Sequence, residues 1–151
     1  MTTQTPAALA FREGRLLDCQ AILTGLPNPS TAETVLTAEV LALLGRMDEA
    51  ETAAGGVLQT RGMAGPFEAR CTSVLADCHW YRGERDAALE LYQLAASRSD
   101  AAKDASVACR AHTQLLERTC DRTGYDSSLP LASIVRRAVT RSGDPQDHSL
   151  V

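Results

Sequence analysis

Two pairs of side chains in this 151-residue chain are of types that bind metal. Cys71 and Cys78 are seven residues apart and share a face if their segment is helical. Cys109 and His112 are three apart. Thiolates and imidazoles make a zinc site when four of them converge. The sequence has no C-x-x-C and no H-E-x-x-H, and the Cys109–His112 spacing alone completes no metal motif. Cysteine otherwise behaves as a small buried hydrophobe, which suits alanine-like positions between close helices. We expect neither a metal nor a cofactor. Asp77 and His79 point apart on a helix and do not form a catalytic dyad. Glycine-rich phosphate loops and the G-x-S-x-G turn are absent from the sequence, and no catalytic role is expected.

The remaining chemistry is that of recognition. Trp80 is the only tryptophan. Exposed beside arginines it has the makings of a binding hot spot; the alternative is ordinary packing between helices. Arg118 and Arg122 are one helical turn apart and suited to a ligand carboxylate. Asp121, Asp77 or Glu117 could instead satisfy Arg118 from within the chain. Arg136, Arg137 and Arg141 form a small basic cluster that reads as a solvated face.

The elements that position these residues are helical. Hydrophobic residues make up 44% of the chain and charged residues 23%, as in a soluble globular protein. Aromatics are only 4%, which fits close-packed helices better than strands. The net charge of −4 argues against nucleic-acid binding, which leaves a basic footprint. No apolar run reaches membrane-spanning length. The N-terminus lacks the pattern of a signal peptide, and the five cysteines are expected as reduced thiols in the cytoplasm.

A first helix is expected from Thr5 to Arg12, with Pro6 at its start. A second carries Leu16, Leu17, Cys19, Ile22, Leu23 and Leu26. Ser30 and Glu33 have the spacing of a capping box for a third, which ends at Gly45. The fourth, Met47 to Gln59, contains Gly55 and Gly56. These cost about 1 kcal/mol each and predict fraying or an early end. A loop at 62–66 precedes the fifth helix, which meets the sixth at Gly83. Ser99 and Asp100 are expected to cap the seventh, with Ala101 on its face. An eighth spans Leu129 to Thr140, and residues 142–151 form a flexible tail.

The pairs of helices resemble one another. Gly14, Gly45, Gly83 and Gly124 each close one helix and precede the next. Cys19, Ala50 and Ala88 stand five residues after the first three. Leu75, Ala76, His79, Gly83, Ala88, Tyr92 and Ala95 together resemble a tetratricopeptide repeat. Ala38, Leu41, Gly45, Ala50 and Ala54 follow the same scheme with alanine in place of the aromatic. Ala7, Ala10, Gly14, Cys19 and Leu23 give a shortened version. The last pair departs from it, with Leu129 where a small residue belongs. The glycines are 31, 38 and 41 residues apart, against a family period of about 34.

The resemblance implies an all-α fold of about eight helices. Antiparallel hairpins over residues 1–141 would stack as a short right-handed α-solenoid. It also implies a concave groove lined by the first helix of each pair. In that register the third helix presents Val35, Glu39, Ala42 and Leu43. The fifth presents Arg70, Ser73, Asp77, Trp80 and Tyr81. The seventh presents Ala111, Gln114, Arg118, Asp121 and Arg122. The expected function is a non-catalytic interaction module that binds a peptide, a helix or a partner protein within a larger regulator or complex. The alternative is a helical regulatory domain that senses a ligand or signal peptide. The end after Thr140 lacks a polar cap. It predicts either further chain in a longer protein or self-association through that end.

Overall fold

Three glycine turns repeat the same backbone bonding, and the helices are laid out around them. In this computed structural model, which describes residues 5–60 and 65–143, the chain forms eight helices and no strand among the described residues. They are α1 (Pro6–Arg12), α2 (Leu16–Thr24), α3 (Thr31–Leu43), α4 (Met47–Leu58), α5 (Pro66–Tyr81), α6 (Arg85–Ala102), α7 (Ala105–Thr123) and α8 (Tyr125–Ser142). The fold is all-α, as the composition and periodicity predict.

At Gly14, Gly45 and Gly83 the backbone takes positive φ of 73°, 78° and 85°. The amide after each glycine donates back across the helix end: Arg15 to the Ala10 carbonyl (2.9 Å), Arg46 to Leu41 (2.9 Å) and Glu84 to His79 (3.0 Å). This closes the last open carbonyls and turns the chain at once into the next helix. Glycine is needed because a side chain strains that conformation. The residues five positions on, Cys19, Ala50 and Ala88, are each 0% exposed. They are small because the paired helix packs directly over them. Gly124 does not follow suit: its ψ is 169°, it leads straight into α8, and Leu129 is 47% exposed.

Each helix packs on the next in the chain, and α1, α3, α5 and α7 also pack on one another in order. The even-numbered helices do not touch one another among the described residues. The core is accordingly a series of clusters rather than one centre. One joins Ala7, Ala10, Cys19, Leu23, Leu36 and Val40 across α1, α2 and α3. The next binds α3, α4 and α5 through Val35, Ala38, Ala50, Ala54, Val74 and Cys78, among others. Ala76, Ala88, Tyr92, Ala96, Ala111 and Leu115 then join α5, α6 and α7. Cys109, Val135, Ala138 and Val139 hold α8 on α7.

The capping box forms: the Glu33 amide donates to Ser30 Oγ (3.3 Å) and the Ser30 amide to Glu33 Oε2 (2.8 Å). Several boundaries differ from the sequence reading. α4 does not stop at Gly55 and Gly56, because Ala54 and Val57 on either side are buried and their packing outweighs the cost of two glycines. Ser99 and Asp100 do not cap α7, and Ala101 is not on it. α6 runs on to Ala102, with Ser99 fully buried and Arg98 held by Glu68 (2.9 Å) and Thr72 (2.6 Å) on α5. The cap of α7 is Asp104, whose Oδ1 accepts from the Val107 amide at 3.0 Å. α8 begins at Tyr125 and contains Pro130. The proline is exposed and Ser128 two residues before it is buried, so the first turns are held by packing despite the lost N–H. Ser142 is the last residue of this helix rather than the first of a tail; residues 144–151 lie outside the described residues, as does most of the expected loop at 62–66.

Candidate functional site

The contact between odd-numbered helices leaves a cleft of about 260 Å³ on their shared side. All of its lining comes from α1, α3, α5 and α7. Phe11 of α1 and Glu39 and Leu43 of α3 stand on one side; α5 contributes Arg70, Ser73, Val74 and Asp77. α7 contributes Val107, Arg110, Ala111, Thr113, Gln114 and Glu117. On both long helices these positions mostly recur every three or four residues, which is one helical face. Neither histidine nor cysteine is among them.

Of the residues expected on the binding face, Arg70, Ser73, Asp77 and Gln114 line the cleft, with Glu39, Leu43 and Ala111. Val35 and Ala42 do not; they are buried in the core between α3, α4 and α5. Trp80, Tyr81, Arg118 and Arg122 lie beyond the lining. Trp80 is half-buried against the cluster around Tyr92, with the Arg85 guanidinium 4.0 Å and that of Arg118 5.1 Å from its ring centre. Its arginine neighbours are therefore partners within the chain. Tyr81 is 68% exposed at the end of α5. Arg118 reaches Asp121 at 3.5 Å and Arg122 reaches Asp86 at 3.3 Å, so the two arginines separate to different carboxylates. Asp121 is itself exposed.

Val74, Val107, Arg110, Thr113 and Glu117 line the cleft as well, beyond the positions expected from the sequence. Val74 follows Arg70 by four residues, and Arg110 and Glu117 flank Gln114 by four and three, so the helical period contained a signal for them. Phe11 had none. It enters through the packing of α1 on α3, a contact between distant segments.

Two carboxylates in the wall are held differently. Glu39 takes a two-pronged bond from Arg70, Nε at 2.7 Å and Nη2 at 2.6 Å, with both side chains largely buried. This geometry is the strong one for arginine. Asp77 accepts the hydroxyl of Tyr92, whose ring is wholly buried. Burial pushes the Asp77 carboxyl above the usual range; the Tyr92 hydroxyl and the Arg118 charge pull it back only in part. Arg118 also reaches the Tyr92 hydroxyl, while its Nε is buried without a partner. Ser73, Arg110, Gln114 and Glu117 make no side-chain hydrogen bond or ion pair among the described residues.

Four of the five cysteines are buried, and Cys120 is half-buried. Cys71 and Cys78 are buried in the cluster of α3, α4 and α5, and Cys109 in that of α7 and α8. His112 bonds to Asp100 through Nε2 at 3.0 Å. Among the described residues no group of three histidines, cysteines or acids is arranged to hold a metal. Arg136, Arg137 and Arg141 are exposed on α8. No described helix is long and apolar enough to cross a membrane.

No protein-family model matches this chain, and comparison with curated proteins and with solved structures likewise gives no match.

Proposed function

We propose that the chain is a non-catalytic interaction module of the tetratricopeptide kind, a short right-handed solenoid whose cleft takes a peptide segment of a partner protein. The observation that carries this reading is that the cleft is lined only by α1, α3, α5 and α7, the first helix of each pair. The recurring glycine turns and the buried small residue after each of the first three support the repeat. Apolar walls with four polar groups left unpaired suit binding, since walls supply area and polar groups supply orientation. The volume of about 260 Å³ suits a few extended residues better than a whole helix.

The test is selection of peptides from a displayed random library on the full chain, followed by variants. Leu43 is 62% exposed and lines the cleft; Leu17 is 70% exposed on α2, away from it. Leu43→Glu abolishes binding of the selected peptides and leaves the helical circular dichroism unchanged, whereas Leu17→Glu leaves binding intact. Peptides that bind equally well to both variants would overturn the cleft as the site.

The same small volume favours, as a second reading, a regulatory domain that senses a small molecule. A metabolite thermal-shift screen separates the two. A hit lost in Leu43→Glu, with no peptide selected, favours the sensor.

A further inference from the structure

The unpaired charges in the cleft are sorted by sign along its length. Arg110 sits towards one end and Glu117 two turns further along the same face of α7, about 10 Å away at 1.5 Å per residue. The helix beside it runs the same way. Arg70 at the Arg110 end feels the charge of Asp104, just before α7, and is already neutralised by Glu39. Asp77 at the other end is already bonded to the Tyr92 hydroxyl and feels the charge of Arg118 more than those of Glu39 and Glu117. Among the described lining residues, the unpaired guanidinium at one end is therefore Arg110 and the unpaired carboxylate at the other is Glu117. Between them lie Ser73 and Gln114, unbonded among the described residues, and the apolar side chains of Val74 and Ala111.

We propose that the cleft selects an extended peptide segment that is itself dipolar, with an acidic side chain at Arg110, an apolar residue between, and a basic side chain at Glu117. The two charged residues of such a segment are two extended steps apart, about 7 Å, and their long side chains cover the rest of the distance between the two ends. Opposite charges set at fixed points choose orientation and partner more than they add affinity. A segment entering the wrong way round places like charges together at both ends. Ser73 and Gln114 are placed to meet the backbone groups of the middle residue, which a purely apolar wall would leave unsatisfied. This inference rests on the peptide-binding reading above and adds the charge pattern of the peptide and its direction.

The test uses the full chain and a set of blocked, dye-labelled pentapeptides with a central leucine, read by fluorescence anisotropy. The flanking residues are glutamate and lysine in either order, two glutamates, two lysines or two serines. One mixed-charge order binds about tenfold tighter than the serine peptide and than the reverse order, and the advantage falls with added salt. Arg110 and Glu117 are both exposed, so the double variant Arg110→Glu, Glu117→Arg is expected to fold. It reverses the preferred order, a result that a structural role for either residue does not produce. Mixed-charge peptides no better than serine, or a preference unchanged in the double variant, overturn the inference. If all peptides then bind alike and Leu43→Glu abolishes them, the peptide cleft stands without its charge pattern. If none binds, or Leu43→Glu has no effect, both readings fall.

Discussion

The second and third helical pairs solve the same problem with different side chains. Ala54 on α4 and Tyr92 on α6 stand nine residues after their turn glycines, and both are 0% exposed. Glu39 on α3 and Asp77 on α5 stand six residues before those glycines, and both face the cleft. In the third pair the aromatic fills the space between helices, and its hydroxyl binds the acid of its own pair. In the second pair alanine cannot reach, and the acid turns to Arg70 of the next helix pair. A buried-side carboxylate must find a partner. Where the pair supplies none from within, the neighbouring pair does, and the polar bond becomes part of the stacking. The difference shows how a small residue in place of an aromatic at one position is offset by an ion pair at another.

The strongest way to break the comparison is to make the pairs alike. Tyr92→Ala removes a wholly buried ring and leaves the Asp77 carboxylate without its hydroxyl. We expect a loss of about 3–5 kcal/mol in urea unfolding, while Ala54→Gly at the corresponding position costs about 1 kcal/mol. Similar losses at the two sites would mean that the aromatic does not anchor its pair.

A smaller effect tests the bond between pairs. Glu39→Ala strands the largely buried Arg70 guanidinium and is expected to cost about 1–3 kcal/mol. Combining it with Arg70→Met recovers part of that loss, since the double variant buries no unpaired charge. Additive losses would show that the two residues stabilise the chain independently.

The smallest effect sharpens the contrast by pH. The folded-state carboxyl of Asp77 is raised above its unfolded value by burial. The folded chain therefore takes up this proton first as pH falls. Its stability from this group rises from neutral pH down towards the ordinary carboxylate range, and declines as pH rises through the raised value. Asp77→Asn lacks this component. The stability difference between the two proteins should shift in favour of the unsubstituted chain between pH 7 and pH 4, followed by urea unfolding. The opposite trend would mean that Tyr92 and Arg118 hold Asp77 ionised more strongly than burial opposes it.

The sequence by itself determined what is local. Helical periodicity, three glycines at positive φ and a small residue five positions after each were legible because each depends on neighbours within one or two turns. Glu39, Leu43, Arg70, Ser73, Asp77, Ala111 and Gln114 are on the face that the repeat resemblance implies, whereas Val35, Ala42, Trp80, Tyr81, Arg118, Asp121 and Arg122, expected on it too, do not line the cleft. Tertiary structure decided what depends on distance between elements. It brought Phe11 into the cleft through α1. It carried α6 past Ser99 because Arg98 finds Glu68 on α5, and carried α4 across two glycines because their neighbours are buried. It also set Arg85 and Arg118 against the Trp80 ring, which lies outside the cleft lining. Periodicity says which residues share a face, but only packing says what lies opposite that face and whether it is already taken.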